Sequence, residues 1–462
     1  MRLVSLNDTI AAISTPIGES GIGIVRLSGK AALMVADKIF TSKGNKGPST
    51  FKSHAVKYGW IIKATSQEVI DEVLLTVMRA PRSYTREDTV EISCHGGIIA
   101  LRAVLDLVLV NGCRLAEPGE FTRRAFLNGR IDLAQAEAVL DIIKAKTDSA
   151  LEVGERQLKG VLSAAINKIR NNILDILSLV EANIDFPEEG LEHADLKKAY
   201  QKLRLVDDSL SGIIKDSYQG RILREGIQVV ICGKPNVGKS SLLNALLKQE
   251  RSIVTSVAGT TRDTIEEIID IKGIPIRIVD TAGIIEPKDL ISKKAIQRTK
   301  NYIRSADLVI LVFDGSKRLS PEDFLLMQRM PKKPVIPVIN KVDLKNIIEK
   351  DLVLKNLSSP IELSAKKLRN LKDLEQRIVD LVYKGKVTGS ESILISNLRH
   401  VQLLTQAEKL IAQAGNSLDN KLSLEFIAQD IKDALGFLDD ILGKRFSEDL
   451  LDKIFSDFCI GK

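Results

Sequence analysis

The stretch Gly233-Lys234-Pro235-Asn236-Val237-Gly238-Lys239-Ser240 decides the fold of the region around it. It follows the pattern G-x-x-x-x-G-K-S, in which glycines let the backbone wrap closely around a polyphosphate. An apolar run at residues 227–231 precedes it, and a helix-forming run at 241–247 follows it. Strand, loop and helix in this order direct amide N–H groups and a helix N-terminus towards negative charge. The stretch therefore predicts a phosphate-binding loop in which Lys239 reaches the β- and γ-phosphates and Ser240 ligates Mg²⁺.

Three further short motifs follow, each after an apolar run that predicts a strand. Asp280-Thr281-Ala282-Gly283 suits the Mg²⁺ shell and the γ-phosphate. In Asn340-Lys341-Val342-Asp343, the Asp343 carboxylate accepts N–H bonds from guanine N1 and N2, which selects GTP over ATP. Ser364-Ala365-Lys366 suits backbone contact with guanine O6. Each motif alone is weak, but their order predicts an α/β GTP-binding domain.

The loop at residues 258–263 has the composition of a first switch segment. Thr261 would give its hydroxyl to Mg²⁺ and its N–H to the γ-phosphate, which orders the loop only with GTP bound. The full set of predicted nucleotide contacts is Asn236, Val237, Gly238, Lys239, Ser240, Ser241, Thr255, Ser256, Val257, Ala258, Gly259, Thr260, Thr261, Asp280, Thr281, Ala282, Gly283, Asn340, Lys341, Asp343, Ser364, Ala365 and Lys366.

Two details concern hydrolysis. Ile284 and Ile285 follow Gly283, where Ras-like proteins place a glutamine that orients water, and an apolar side chain cannot do so. Hydrolysis must therefore draw on another group. Asn236 lies three residues before Lys239, so its amide oxygen either ligates a monovalent cation beside the phosphates or only hydrogen-bonds within the loop.

Composition limits the class of protein. A chain of 462 residues predicts about three domains. The net charge of +7 permits a polyanionic partner such as RNA without demanding one. Four scattered cysteines with no C-x-x-C spacing predict reduced thiols, and we find neither a signal peptide nor an apolar stretch long enough for a bilayer. We therefore expect a cytoplasmic protein without a membrane association.

Periodicity predicts a multidomain chain with four segments. Short strand-like runs and two helical runs make residues 1–124 a small α+β domain, and residues 220–386 form the GTP-binding unit. Residues 125–219 and 387–462 carry apolar residues at helical spacing, with predicted helices at 131–147, 151–180, 194–217, 397–414, 422–442 and 449–458. The simplest arrangement is one all-α domain into which an α/β G domain with a mostly parallel sheet is inserted. A separate C-terminal bundle is the alternative.

Specific strings along the whole chain resemble the bacterial tRNA-modification GTPase family MnmE, also called TrmE. The strings are NDTIAA at 7–12, GIGIVR at 21–26, CHGG at 94–97, PGEFTRRAFLN at 118–128, DLAQAEA at 132–138, IDFP at 184–187 and CIGK at 459–462. The resemblance implies a homodimer through a folate-binding N-terminal domain. It also implies that the family works with the flavoprotein MnmG, as a heterotetramer or larger, to add (carboxymethyl)aminomethyl groups at C5 of the wobble uridine of certain tRNAs.

The same resemblance implies residue roles. The one-carbon donor 5-formyltetrahydrofolate, or a related tetrahydrofolate, would contact Arg26, Glu91, Arg130 and Lys462. The family often has lysine where this chain has Arg130, and the two cations differ in geometry. Mg²⁺ would bind Ser240 and Thr261, and K⁺ would bind Asn236, Thr255, Val257 and Thr260.

One catalytic position departs from the family pattern. The family places a water-orienting glutamate shortly after Gly283, and an ungapped alignment puts Ser292 there. Hydrolysis is then either slow, with Lys239 remaining as the catalytic cation, or supported by Glu286 or Asp289. A different class of function also stays open, namely a GTP-dependent RNA-binding switch such as a ribosome-assembly factor. A membrane-linked GTPase is poorly supported, since the chain has neither a span nor a prenylation motif.

Overall fold

The protein is described by a computed structural model, which covers residues 7–44, 46–185, 193–249, 266–280, 303–330, 333–383, 394–420 and 422–462. The chain divides into two compact units. Unit 1 comprises Met1–Leu140 and Leu438–Lys462, and unit 2 comprises Asp141–Phe437. The predicted limits of the four segments stay a prediction. None of the helices in the described ranges is long and apolar enough to cross a membrane.

The described residues form two sheets. Their strands are β1 (Ile10–Ile13), β2 (Gly23–Ser28), β3 (Phe40–Thr41), β4 (Ala55–Ile62), β5 (Val69–Met78), β6 (Thr89–Cys94), β7 (Arg114–Leu115), β8 (Ile227–Cys232), β9 (Glu266–Ile271), β10 (Ile274–Asp280), β11 (Leu308–Asp314), β12 (Val335–Asn340) and β13 (Ile361–Glu362). The first seven belong to unit 1 and the others to unit 2.

The described helices lie in both units. They are α1 (Ala32–Ile39), α2 (Ile98–Val110), α3 (Glu120–Leu127), α4 (Leu133–Lys144), α5 (Asp148–Leu158), α6 (Val161–Asp185), α7 (His193–Glu225), α8 (Lys239–Gln249), α9 (Pro321–Gln328), α10 (Lys350–Asn356), α11 (Leu371–Tyr383), α12 (Leu398–Asp419), α13 (Leu424–Leu442) and α14 (Glu448–Ser456). A short 3₁₀ turn occupies Pro48–Thr50.

Unit 1 is built on a seven-stranded sheet in the order β3-β4-β5-β6-β2-β1-β7. All neighbours are antiparallel except β1 and β7. Because side chains alternate along a strand, Val25 and Leu27 join the buried core while Arg26 faces the other way. Arg26 lies opposite Glu91 in the pairing of β2 with β6. The α+β prediction is confirmed, and the sheet brings two of the predicted folate contacts face to face.

The end of the chain packs within unit 1. Phe126, Leu133, Leu451 and Phe455 share one buried cluster, so α3, α4 and α14 enclose a common core. Gly119 precedes α3 with φ +66°, and a Cβ there would lie 2.9 Å from the Phe455 carbonyl oxygen. Only glycine allows this close approach without strain.

The helices of unit 2 differ in one respect from their prediction. The single predicted helix at 151–180 is wrong, because the structure has two helices, α5 and α6, separated by Gly160 with φ +84°. A left-handed backbone ends a helix, and glycine adopts it freely. Helix α7 continues through residues 219 and 220 to Glu225, and α12 packs along it.

Helix α5 begins beside the turn between β9 and β10 of the unit 2 sheet. Thr147 caps α5, with its hydroxyl accepting from the Ala150 N–H at 3.1 Å. The same hydroxyl donates to the Gly273 carbonyl at 3.1 Å, in the turn between β9 and β10. A Cβ on Gly273 would lie 2.2 Å from the Ser149 Oγ.

The sheet of unit 2 has six strands in the order β13-β12-β11-β8-β10-β9. The first five are parallel, and β9 runs antiparallel at the edge. Strands β8 and β11 are buried almost throughout, as expected for a parallel sheet covered on both faces. The prediction of an α/β unit with a mostly parallel sheet is confirmed. The carboxyl ends of β8, β11 and β12 meet at one edge, where ligands bind in such sheets.

Candidate functional site

The phosphate-loop sequence connects β8 to α8. Its backbone turns through three positive φ angles, at Gly233 (+148°), Asn236 (+65°) and Gly238 (+99°). A Cβ on Gly233 would lie 2.4 Å from the Val312 carbonyl oxygen, and one on Gly238 would lie 2.3 Å from the Asn340 Nδ2. Both glycines are therefore required by close contacts as well as by conformation, and Asn236 is a residue type that tolerates left-handed backbone.

Asn340 at the end of β12 joins two of the predicted binding loops. Its side chain is buried, and its Nδ2 donates to the Val237 carbonyl at 2.9 Å. Its Oδ1 accepts from the Ala365 N–H at 3.0 Å. A neutral amide satisfied on both sides costs little to bury. Asn340 thus holds the phosphate loop against the predicted guanine loop.

Lys341 makes a second connection to the phosphate loop. Its ammonium donates to the Asn236 carbonyl at 2.6 Å and to Asp314 at 2.7 Å. Burial would raise the pKa of Asp314, but hydrogen bonds from Lys341 and Ser316 outweigh it and hold the pKa below its ordinary value. Our sequence reasoning missed Asp314. The signal was present, because Asp314 ends an apolar strand just as Asp280 and Asn340 do.

Asp343 is exposed and held in place by Ser364. The Ser364 hydroxyl donates to Asp343 Oδ1 at 2.6 Å, and this bond is the main reason why the pKa of Asp343 lies below its ordinary value. Ser364 is itself fully buried and accepts from the Lys367 N–H at 3.2 Å. The arrangement presents an ionised, oriented carboxylate to solvent, next to the exposed Lys366.

The two lysines of the phosphate loop have different surroundings. Lys239 is 7% exposed, and its ammonium donates to the Lys234 carbonyl at 2.9 Å. The Lys234 ammonium pairs with Asp323 at 2.6 Å at the start of α9. Ser240 and Ser241 lie exposed in the first turn of α8. Asp280 ends β10 opposite Ile231 of β8, so its backbone reaches the same sheet edge.

The remaining predicted nucleotide and hydrolysis residues lie outside the described residues, and their roles stay predictions. They are Thr255, Ser256, Val257, Ala258, Gly259, Thr260, Thr261, Thr281, Ala282, Gly283, Glu286, Asp289 and Ser292.

A second cluster forms in unit 1 from distant parts of the chain. The Arg26 Nε lies 2.8 Å from Glu91 Oε1, with the two side chains 17% and 23% exposed. The Arg26 guanidinium also donates to the Gly461 carbonyl at 3.4 Å. The Phe121 N–H donates to the Lys462 carbonyl at 3.2 Å. The structure therefore places the residues around Lys462 beside the Arg26–Glu91 pair.

Arg130 reaches this cluster through Tyr84. Its guanidinium lies 4.7 Å from the centroid of the Tyr84 ring and donates to the Tyr84 carbonyl at 2.9 Å. The Arg26 guanidinium lies 6.0 Å from the same centroid. Our sequence reasoning missed Tyr84, although an aromatic residue within the polar run at 82–89 was a usable signal. Arg26, Arg130 and Tyr84 thus form one continuous surface with Glu91.

A buried ionic network joins α3 to the unit 1 sheet. Arg124 is fully buried and contacts the carboxylates of Asp8, Glu87 and Glu120. Arg114 pairs with Asp8 and with Glu120, which is also buried. Burial would raise the pKa of Asp8, but the hydrogen bonds from Arg114 and Arg124 outweigh it and lower the pKa below its ordinary value. The network fixes the start of α3 to the sheet.

The thiols have two kinds of surroundings. All four cysteines are free; Cys459 is exposed and the other three are buried. Burial raises the pKa of Cys94 to about 11 and the pKa values of Cys113 and Cys232 to about 12. Those three thiols are unreactive near neutral pH.

Comparison with known proteins identifies the family. A profile described as "MnmE helical domain" matches residues 133–459, and one described as "GTP-binding protein TrmE N-terminus" matches residues 9–130. The tRNA modification GTPase MnmE of Clostridioides difficile is 47% identical over 463 residues, covering 99% of this chain and all of the relative. The tRNA modification GTPase MnmE of Bacillus subtilis is 44% identical over 458 residues, covering 98% of this chain and all of the relative.

Structural likeness is weaker. The crystal structure of Aquifex aeolicus Era, 32% identical, covers 40% of this chain and 66% of its own, with a TM-score of 0.28. This value is too low to support an argument. The two profiles together with the full-length identities are sufficient without it, and the chain belongs to the MnmE family of tRNA modification GTPases.

Proposed function

We propose that this protein hydrolyses GTP to drive modification of tRNA. The observation that carries the proposal is the edge of the unit 2 sheet, where Asn340 joins the phosphate loop to the loop of Ser364. The Asp343 carboxylate beside it suits guanine, because guanine N1–H and N2–H are donors where adenine lacks that pair. The relatives that match the full length are named tRNA modification GTPases.

The proposed activity needs ligands for two metal ions, Mg²⁺ and K⁺. Ser240 with Thr261 would ligate Mg²⁺, and Lys239 would hold the β- and γ-phosphates. Asn236, with Thr255, Val257 and Thr260, would ligate K⁺. The Asn236 side chain is exposed to solvent. Its backbone carbonyl accepts from the Lys341 ammonium, which fixes the backbone of the loop at this residue. Bound K⁺ would place a positive charge beside the negative charge that develops on the phosphates during hydrolysis.

Hydrolysis also needs a group that orients the attacking water. Ser292 has no charge, whereas Glu286 and Asp289 are carboxylates in the same segment. Turnover in KCl should fall in Glu286→Ala or Asp289→Ala, or rise in Ser292→Glu. If none of the three substitutions changes turnover, this account of hydrolysis is wrong.

The cluster in unit 1 would bind 5-formyltetrahydrofolate or a related tetrahydrofolate. Glu91 suits the N–H donors of a pterin ring, while Arg26, Arg130 and Lys462 are cations that suit the carboxylates of the folate's glutamate portion. In the proposed activity, a homodimer of this chain works with the flavoprotein MnmG. The folate one-carbon unit would be used to build the (carboxymethyl)aminomethyl group at C5 of the tRNA wobble uridine.

Nucleoside analysis of wobble uridines tests the proposal. Cells lacking this chain should lose the C5 modification, and the wild-type gene should restore it while Gly238→Ala should not. If the wobble uridines keep their C5 modification in cells lacking this chain, the proposed function is wrong. The alternative, a GTP-dependent RNA-binding switch, predicts normal uridines and no folate binding by the full-length protein.

A further inference from the structure

We propose that Tyr84 is a positioning residue: its ring and its carbonyl orient the guanidinium of Arg130, beside Arg26 on the same ring, so that Arg130 faces an anionic ligand. The inference rests on the proposed folate-binding role of the unit 1 cluster and adds to it a residue that the family resemblance does not assign. It starts from the two cations that share the Tyr84 ring, at 6.0 Å and 4.7 Å from its centroid.

The two cations are not equivalent. Arg26 is partly neutralised by Glu91 at 2.8 Å, and it also lies 5.6 Å from the centroid of Phe121. Arg130 is exposed, and its guanidinium donates to the Tyr84 carbonyl at 2.9 Å and lies over the Tyr84 ring. Arg130 therefore keeps its positive charge available for a ligand, while Arg26 and Glu91 form a paired hydrogen-bonding surface.

Without a partner, an exposed arginine samples many rotamers, and ordering it on binding costs affinity. The Tyr84 carbonyl and ring restrict the Arg130 side chain before the ligand arrives. The negative face of the ring attracts the cation without neutralising it, unlike a carboxylate. Tyr84 thus orients Arg130 and leaves its charge for an anion.

Tyr84 is itself fixed. Its hydroxyl lies 2.9 Å from the Oγ1 of Thr122, and Thr122 is fully buried in α3. The ring is half-buried. Turning it towards solvent would break the contact between the Tyr84 and Thr122 hydroxyls. The ligand class that fits is a heterocycle with N–H donors and a carboxylate side chain. Glu91 would accept from the heterocycle, and the oriented Arg130 would bind the carboxylate.

The test is titration of the full-length protein with 5-formyltetrahydrofolate by calorimetry. Tyr84→Leu should weaken binding roughly tenfold, while Tyr84→Phe, which keeps the ring, should stay within about threefold of the wild type. Tyr84→Met serves as a second ring-deleting variant if the leucine variant does not fold. Trp60, the single tryptophan, lies in β4 of unit 1, and its fluorescence should be unchanged in each variant, which reports that this unit is folded.

A double-mutant cycle separates positioning from a structural role. In the Arg130→Gln background, Tyr84→Leu should cost less than about threefold, because the cation that the ring orients is gone. Equal losses in both backgrounds, or failure of phenylalanine to rescue, would overturn the role of Tyr84 while leaving folate binding intact. No binding by the wild-type protein would instead overturn the folate assignment, and the Tyr84 proposal with it.

Discussion

The nucleotide site of unit 2 and the cluster of unit 1 are assembled in different ways. The first draws on short continuous motifs that follow strands of a parallel sheet, and the side chains of Asn340 and Lys341 hold the phosphate loop by its backbone carbonyls. The second takes residues 26, 91, 130 and 462 from separate parts of the chain and joins them through a cross-strand pair and a shared aromatic ring. Continuous motifs can be read locally, whereas the second kind of site exists only after the chain has folded.

The two regions also differ in what supports them. A neutral amide, Asn340, links the loops of the nucleotide site. In unit 1, a fully buried cation, Arg124, pairs with three carboxylates and holds α3, the helix that carries Thr122, against the sheet. Burying an ion is costly unless every partner is present, so the second arrangement is far less tolerant of losing one group.

The strongest expected effect on the nucleotide site comes from Gly238→Ala. The new Cβ would lie 2.3 Å from the Asn340 amide at a backbone φ of +99°, so the loop must shift, and GTP affinity should fall about a thousandfold. Gly212→Ala is the matched control, since nothing lies within 4 Å of its Cβ in α7. Calorimetry with GTP measures both. Unchanged affinity in Gly238→Ala would show that the loop is not held as we describe.

Arg124→Met should destabilise unit 1 by about 3 kcal/mol or more, because it leaves three carboxylates without their shared cation. The single tryptophan, Trp60, lies in β4, so its fluorescence during urea unfolding reports on unit 1. Arg102→Met removes an exposed pair, with 3.6 Å between Arg102 and Asp106, and should cost under about 0.5 kcal/mol. Equal effects of the two substitutions would show that the buried network contributes no more than an exposed ion pair.

Asp343→Asn should change base selectivity. An amide side chain no longer offers two acceptor oxygens to guanine, so GTP affinity should drop on the order of a hundredfold. Xanthosine triphosphate, which has a carbonyl in place of the guanine 2-amino group, should then bind at least as well as GTP. Competition binding with both nucleotides measures the ratio. Asp351→Asn, on the exposed start of α10, is the control and should change neither affinity.

Acid should affect unit 1 through Asp8. Its folded pKa lies below the ordinary value, so its contribution is present above that value and is lost as pH falls through the folded pKa. Stability by Trp60 fluorescence should therefore be level from pH 7 to 5 and decline below about pH 4. Asp8→Asn should lower stability at neutral pH and flatten this decline, whereas Asp106→Asn should leave the curve unchanged. A curve that Asp8→Asn does not alter would rule out this contribution.

The sequence predicted the fold best where pattern and chemistry coincide. The apolar runs before the phosphate loop and before Asn340 became β8 and β12. The helix at 151–180 was wrong because Gly160 sits inside an otherwise continuous apolar pattern, and its left-handed backbone is not visible in that pattern. Similarly, Arg124 looks like a surface charge until the three carboxylates around it are placed.

The nucleotide site and the unit 1 cluster also differ in how far the sequence predicted them. Strand-end motifs predicted the residues that meet at the unit 2 sheet edge, and the same rule would have found Asp314. Nothing local connects Tyr84 with Arg26 and Arg130, since their contact depends on the packing of α3 against the unit 1 sheet. Family resemblance pointed to the four residues of the unit 1 cluster without indicating how they are held.

The hydroxyl of Thr147 accepts from the Ala150 N–H in the first turn of α5 and donates to the Gly273 carbonyl in the hairpin of β9 and β10. If the hairpin moved away, the Gly273 carbonyl would lose its donor, and the Thr147 side chain could rotate away from the helix. The two strands of this hairpin lead directly into the segments that carry Thr261 and Gly283. A displacement of the hairpin would therefore weaken the N-terminus of α5 at the same time.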